Sequence, residues 1–407
     1  MNVAIIGSGA AGLVAAYAAA CNGNSVTVFE KNEKSGKKIY ITGKGRCNVT
    51  HVCTPEEFLA NVVNNSKFLT GAIYNFSPDA TIRFFEDGGL PLKIERGARV
   101  FPVSDKASDV TKCLENYCKN VGVIFKFNEK VNKINVLNST VSGIITSKGV
   151  YSFDKAIVCT GGLSYPSTGS TGDGYTFAKA MGHSIVALRQ GLCGLNIKGS
   201  YYKELQGLAL KNVGLTVYNN GKGIKEFFGE MLFTHFGVSG PIILSASSLI
   251  NRFDLNGVKL SLDLKPALSC EQLDKRILRD FEENKNKSIS TCLKLLLPSA
   301  LITEVLRRSG IAQDKKVNSV TKNERQSLLT IIKNFDMLVS SLRGFEEAII
   351  TSGGVDVKEI NPKTMESKLI KGLFFCGEVL DLDAFTGGFN LQIAFSTGYA
   401  AGKSIKD

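Results

Sequence analysis

The sequence predicts an α/β fold built on a parallel sheet, and three stretches carry that expectation. The apolar run Val3 to Ile6 passes straight into the glycine turn GSGAAG and then into the alanine-rich stretch Ala10 to Cys21. A second apolar run, Ser25 to Phe29, ends in the acid Glu30. Near the other end of the chain, LFFCGEVLDLDAFTGGFNLQIAFSTGYAAG again sets a strand, a glycine-rich turn and a helix in that order. Short apolar runs closed by glycine suit strands covered on both faces.

The first unit reads as a Rossmann-like dinucleotide site. Gly7 makes the tight turn after the strand, Gly9 lets a pyrophosphate approach the backbone, and Gly12 lets the helix pack on the strand. The backbone of Ser8 and Ala11 then faces the phosphates with unpaired N–H groups at the helix start. Gly23 and Asn24 close the helix. Glu30, eighteen residues past Gly12, is placed to accept from both ribose hydroxyls, with Lys31 beside it. A carboxylate there repels a 2′-phosphate, so NADP is disfavoured at this site. The motif serves NAD and FAD alike and does not choose between them.

The next stretch, GKKIYITGKGRCNVT (36–50), combines Gly36, Gly43 and Gly45 with Lys37, Lys38, Lys44 and Arg46. It reads as a basic loop, with Lys38 a candidate for the cofactor phosphates. Gly122 to Phe127 is the expected third parallel strand, after which the backbone of Val131 is a candidate for the adenine. Strands are expected through 133–153 and at Ala156 to Cys159, and GSTGDGY leads to a helix capped by Thr171 or Asp173.

The C-terminal segment selects the cofactor. Gly377 and Glu378 follow an apolar strand, then comes a glycine turn and a helix starting near Gly388 or Asn390. A ribityl chain wants an acceptor such as Glu378, and an isoalloxazine ring wants a positive dipole near N1 and C2=O, which a helix start supplies. FAD is therefore expected. No second glycine motif of this kind follows a strand after Glu30, so NADH or NADPH, if used, is a transient electron donor without a domain of its own.

Bulk properties set limits. With 407 residues and 43% hydrophobic content the chain has material for two or three domains. It begins NVAII without a charged leader, and no apolar run nears the ~18 residues of a membrane span. A cytoplasmic protein with no membrane partner is expected. Ten cysteines without a C-x-x-C and three separated histidines argue for reduced thiols and no metal. The net charge is +12, and residues 190–345 hold 22 Lys or Arg against 14 Asp or Glu. These charges are interspersed, which suits a solvated surface better than a nucleic-acid site.

GKGRCNVT, GSTGDGY, FTHFGVSGP, PKTMESKLIKGLFFCGEVLD and TGGFNLQIAFSTGYAAG, in this order, resemble the BaiN and aminoacetone-oxidase family of FAD-binding oxidoreductases. The match runs the length of the chain. A more distant resemblance to flavoprotein fumarate reductases lies in the N-terminal unit and TGDG. The resemblance implies a discontinuous FAD domain of residues 1–189 and 346–407. Its implied insert spans 190–345, β-barrel-like over 190–268 and 336–345 and helical over 269–335. Alternating strands over 211–244 and 258–264 and helical periodicity at 271–284, 301–306 and 328–335 are compatible.

The resemblance also implies site residues. Gly45, Arg46, Cys47 and Asn48 would lie along the pyrophosphate and ring, Thr160, Gly161 and Gly162 close to the FAD, and Asp383, Gly388, Asn390, Leu391 and Gln392 around the ring. Arg46 either faces the cofactor or pairs with a surface carboxylate. Cys47 is either a thiol activated by that arginine or a small packed residue. No catalytic acid stands out: Cys47, Tyr165 and His235 are the weak candidates, and His235 either meets substrate or sits inside the barrel.

Implied activities diverge. One is NAD(P)H-linked reduction of an unsaturated carbonyl compound such as a 3-oxo bile acid, by hydride transfer through flavin N5. Another is amine oxidation with peroxide release. A different class is an FAD protein that binds or modifies RNA through its basic insert, where Tyr201, Tyr202, Phe227 and Phe228 supply aromatics but no RNA motif is present. A small-molecule substrate is the expected partner.

Overall fold

The computed structural model describes residues 1–406. It divides into two compact units, Met1–Gly191 with Gly344–Asp407, and Leu192–Arg343.

In the first unit, Asn2–Ile6 (β1), Ala10–Ala20 (α1) and Ser25–Phe29 (β2) form the strand, helix and strand that the glycine motif requires. A five-stranded parallel sheet runs in the order Leu373–Phe375, Lys155–Val158, β1, β2, Ile124–Lys126. The chain order reverses beside β1, and the crevice at such a switch point is where open α/β sheets bind ligands. A strand from the far end of the chain is thus the neighbour of the neighbour of the first.

α1 is buried on nearly every side, as an Ala-rich helix with no polar face must be. Its cover is the helix Phe389–Ser404. A Cβ on Gly398 would stand 2.4 Å from the Ala11 carbonyl oxygen, and one on Gly402 2.3 Å from that of Ala15. Backbone lies on backbone, and the two helices run parallel.

Two local expectations are corrected. GKKIYITGKGRCNVT is not a plain loop: Lys37–Ile41 is a short helix (α2) running into a tight turn, and Thr50–His51 joins an antiparallel sheet with Arg99–Pro102 and Leu92–Glu95. The helix after GSTG begins at Asp173 on Gly172 with no side-chain cap. The Asp173 carboxylate turns to Lys31 instead, at 2.7 Å, because an ion pair outweighs a cap bond at a half-buried site.

The second unit is a closed barrel of six strands, in the order Leu195–Ile197, Gly237–Ser239, Lys222–Thr234, Ala209–Asn219, Val258–Asp263, Phe335–Leu342. Alternate residues point inward, among them Leu215, Val217, Met231, Phe233, Leu260, Leu262, Phe335 and Met337. Strand pattern was read as far as Leu244, but Pro241–Ile250 is a helix opened by proline at its first turn.

Helices Cys270–Glu283, Ser299–Ser309 and Lys322–Lys333 complete the unit. The last opens with a capping box: Thr321 Oγ1 accepts from the Glu324 N–H and the Glu324 carboxylate accepts from the Thr321 N–H. Thr321→Ala is expected to cost about 1 kcal/mol, read as a lower thermal midpoint that Thr321→Ser restores. Lys315 and the Thr321 backbone hold the Glu324 carboxyl below its usual range. Its contribution is therefore present above the ordinary glutamate pKa and is lost as pH falls.

Candidate cofactor site

Each glycine of the first turn has a distinct physical reason. Gly7 sits at φ 101°, and a Cβ there would meet the Cys159 carbonyl oxygen at 2.7 Å. On Gly12 it would meet the Gly7 carbonyl oxygen at 2.0 Å, whereas on Gly9 nothing lies within 4 Å. Gly7 and Gly12 are fixed by the fold; Gly9 keeps ground open in front of the helix. α1 has no side-chain cap and no acid in its first turn. Its N–H groups remain an electropositive end for an anion.

Glu30, at the end of β2, is buried and pinned. One carboxylate oxygen accepts from the Ser8 N–H and Oγ–H, each at 2.9 Å, and the other from the N–H and side-chain amide of Asn32, at 2.9 and 2.8 Å. Asn32 was not singled out in the sequence; its signal was adjacency to Glu30. Lys31 is held by Thr171 at 2.6 Å and Asp173 at 2.7 Å. The Glu129 N–H donates to the Glu30 carbonyl, which brings Val131, buried at the start of Val131–Leu137, to the same end of the sheet.

A second cluster joins four segments. The Glu378 carboxylate accepts from Lys38 Nζ at 2.7 and 2.9 Å and from the Thr351 N–H at 2.9 Å. A Cβ on Gly162 would fall 2.4 Å from Thr351 Oγ1 and 2.9 Å from Glu378 Oε1. Thr351 Oγ1 also accepts from the N–H groups of Leu163 and Ser164, at 2.8 and 3.1 Å. The structure therefore brings Lys38, Gly162 and Glu378 together around Thr351, a residue that nothing in its local sequence marks. Gly161 is left-handed at φ 71°, packed on Ser170.

In the GKGRCN loop, Gly43, Lys44, Gly45 and Cys47 have φ of 55°, 58°, 86° and 60°. A non-glycine residue there is strained, and such strain collects at ligand sites. Of the two alternatives for Arg46, the carboxylate pairing is the one formed here: its guanidinium pairs with Glu95 and Asp105 and lies over the Phe101 ring. Two carboxylates neutralise it, and Lys38, the cation near Gly162, is in turn paired with Glu378.

The activated-thiol alternative for Cys47 also fails. Cys47 is fully buried and burial pushes its thiol up to about 12. Native protein at neutral pH is expected to leave Cys47 unlabelled by iodoacetamide while the exposed Cys21 and Cys270 react; peptide mass mapping reads the difference.

The C-terminal helix starts on Gly388 at φ 97°, where a Cβ would stand 2.6 Å from the Thr50 carbonyl oxygen. Like α1 it has neither a side-chain cap nor an acid in its first turn. Asn390 and Gln392 turn their side chains onto the protein itself. Asn390 ties down the backbone of Ala384 at 3.0 and 2.8 Å. Gln392 accepts from Thr50 Oγ1 at 2.6 Å and donates to the Phe76 carbonyl and Ser396 Oγ. Asp383 accepts from Asn64 and Ser352. These three side chains hold the turn, and Leu391, half-buried, lies in the first turn of the helix.

The arrangement fits an elongated dinucleotide. Ala11 lies opposite Gly398, so the C-terminal helix begins roughly 12 Å beyond the start of α1 at 1.5 Å per residue. Two uncapped helix ends point the same way, one suited to a diphosphate and one to an anionic ring. Asn48 Oδ1 and Thr160 Oγ1 are buried side-chain oxygens without a protein hydrogen-bond partner, which leaves both able to bond a ligand.

A family model described as HI0933-like protein Rossmann domain matches residues 1–404. The chain belongs to the HI0933-like family. Among curated relatives, this HI0933-like chain is 31% identical to a ribosomal RNA dihydrouridine synthase of Haemophilus influenzae, over 98% of this chain and 97% of that one. It is 30% identical to a 3-dehydro-bile acid delta(4,6)-reductase of Clostridium scindens, over 100% and 99%. In fold it is similar to the 3-ketosteroid-delta4-(5alpha)-dehydrogenase of Rhodococcus jostii, with TM-score 0.53 and 15% identity over 99% and 96%. The HI0933-like chain is an FAD-dependent oxidoreductase.

The remaining candidates for catalysis separate. Tyr165 is half-buried in a left-handed conformation, φ 52°, and burial raises its hydroxyl pKa. Tyr175 is buried, its hydroxyl 3.4 Å from the Glu378 carbonyl. His235 lies exposed in the turn between Lys222–Thr234 and Gly237–Ser239, edge-on to Phe236, and not inside the barrel. Among the described residues no cluster suits a metal ion and no helix is long and apolar enough to cross a membrane.

Proposed function

We propose that this protein reduces a carbon–carbon double bond conjugated to a carbonyl. The observation that carries the reading is the agreement of two full-length relatives whose printed activities differ in substrate but share that bond. The delta(4,6) pair of double bonds beside a 3-oxo group is a conjugated dienone, and the C5=C6 bond that distinguishes uridine from dihydrouridine is conjugated to C4=O.

When bound, reduced FAD supplies a hydride for the β-carbon, while the α-carbon takes a proton. The chain's own part is binding and electrostatics. The N–H groups at the start of α1 hold the diphosphate, and Glu30, fixed by Ser8 and Asn32, takes the ribose. Lys38 and Glu378 take the ribityl side, and the start of Phe389–Ser404 offers its dipole to the ring. NADH or NADPH is the proposed donor, visiting the ring without a dinucleotide domain of its own.

Of the two carriers of such a bond, a uracil within RNA is favoured by two full-length relatives, 31% and 28% identical, that share the ribosomal RNA activity. The test has two arms. Ribosomal RNA from cells lacking the gene is mapped for dihydrouridine, and the purified holoprotein is given a 3-oxo-Δ4 bile acid with NADH or NADPH. Loss of a single dihydrouridine supports the RNA reading; flavin reoxidation by the enone supports the small molecule. Peroxide formation with an aminoketone and neither reduction would instead establish the oxidase and overturn the proposal.

A further inference from the structure

Cys159 and Cys376 are two buried thiols that the proposed reaction does not use. Each directly follows the last paired residue of adjacent parallel strands, Val158 and Phe375, and the Cys376 N–H donates to the Val158 carbonyl. Their sulfurs stand 3.0 Å apart, with 6% and 0% of the residues exposed. Neighbouring strands in a sheet lie about 4.8 Å apart, within the Cα separation a disulfide spans. The sulfurs need close by only about 1 Å to reach a bond of ~2.05 Å.

The pair also lies against both glycine turns of the cofactor site. A Cβ on Gly7 would meet the Cys159 carbonyl oxygen, and one on Gly12 would come 3.3 Å from the Cys159 Cβ. Cys376 leads into Gly377, itself at φ 76° and packed on Ala11.

We propose that Cys159 and Cys376 form a redox-active dithiol that closes to a disulfide and thereby weakens FAD retention, with a small peroxide as the oxidant. One thiol sulfur attacks the peroxide, an S–O bond forms, the O–O bond breaks, and water leaves after proton transfer. The second sulfur then attacks the sulfenic sulfur, the S–S bond forms and a second water leaves. Two thiols lose two electrons and two protons, and one hydrogen peroxide becomes two waters. Reduced flavins that meet oxygen release peroxide, so an oxidant of this class arises at the site itself. Burial keeps Cys159 protonated, which slows its attack on any oxidant, and shuts out bulky disulfides, so the oxidant is a small peroxide and the step is slow. Closing the bond draws together two strand ends, one packed on the Gly7–Gly12 turn that faces the diphosphate and the other leading into Gly377 and Glu378, and the first of these has no slack: an added Cβ at Gly7 or Gly12 already collides with backbone.

The test uses the holoprotein. It is treated with hydrogen peroxide, denatured, alkylated with iodoacetamide and mapped by mass. The expected result is a 159–376 cross-linked peptide that dithiothreitol reverses and that Cys159→Ser and Cys376→Ser each abolish. The FAD dissociation constant, read by flavin fluorescence, is expected to rise several-fold on oxidation in the parent chain and to stay constant in either variant. Full alkylation of both cysteines after peroxide, or their conversion to sulfinic acids without a cross-link, overturns the dithiol. A cross-link with unchanged FAD affinity overturns its coupling to the cofactor. None of these readouts depends on the substrate, so failure here leaves the proposed reduction standing.

Discussion

Gly12→Ala is expected to yield a chain that purifies without flavin and melts at a lower temperature than the parent. The added methyl would stand 2.0 Å from the Gly7 carbonyl oxygen and close to the Cys159 side chain. Neither partner can yield: Gly7 is a turn at φ 101° against strand Lys155–Val158, and Cys159 is buried. Overpacking of a fixed core costs about 1–3 kcal/mol, and here the moving part is α1 itself, which must lift from the turn. The diphosphate end of the site moves with it. Gly9→Ala is the control, since nothing lies within 4 Å of its added methyl. That variant is expected to keep the melting temperature of the apoprotein and to lose FAD affinity, because the methyl enters the ground kept open for phosphate. Equal melting temperatures for the Gly12→Ala and parent apoproteins would refute the packing argument.

Glu378→Ala is the second large effect. The substitution strands Lys38 and leaves the Thr351 N–H without its acceptor. Bonds to a charged group are worth about 1.5–3 kcal/mol, and a buried donor without an acceptor costs about 1–3 kcal/mol. Those two losses lower the stability of the chain; the lost bond from Glu378 to the ribityl chain, also to a charged group and worth about 1.5–3 kcal/mol, raises the FAD dissociation constant roughly 10- to 100-fold at 1.4 kcal/mol per tenfold. Glu378→Gln keeps an acceptor for Thr351 but removes the charge facing Lys38, and is expected to fall between. Fluorescence titration of the apoprotein reads all three. Parent-like affinity in Glu378→Ala would remove this residue from the cofactor site.

The glycine turn, Glu30 and the uncapped C-terminal helix were legible because each depends on residues a few positions apart, where spacing alone dictates backbone shape. Arg46 stayed open between the cofactor and a carboxylate for the opposite reason. Its partners, Glu95 and Asp105, come from a hairpin about fifty residues on, and no local pattern says that they will fold back onto GKGRCN. Thr351 was invisible in the same way. Its hydroxyl serves Leu163 and Ser164 and its N–H serves Glu378, an assignment that exists only once distant segments meet. Pro241–Ile250 misled through composition, since PIILSASSLI is apolar enough to be a strand until the proline and glycine before it are weighed as a helix start.

The packing of α1 on the helix Phe389–Ser404 has a consequence for synthesis. α1 is among the first elements to leave the ribosome, and the surface that covers it is among the last. At about 5–20 residues per second, the wait between them is on the order of half a minute. Throughout that interval an all-apolar helix stands without its cover, and nothing that grips a diphosphate or a ring is yet complete. A chain halted before Phe389 is therefore expected to expose the apolar face of α1 and to lack the ring-side half of the cofactor site.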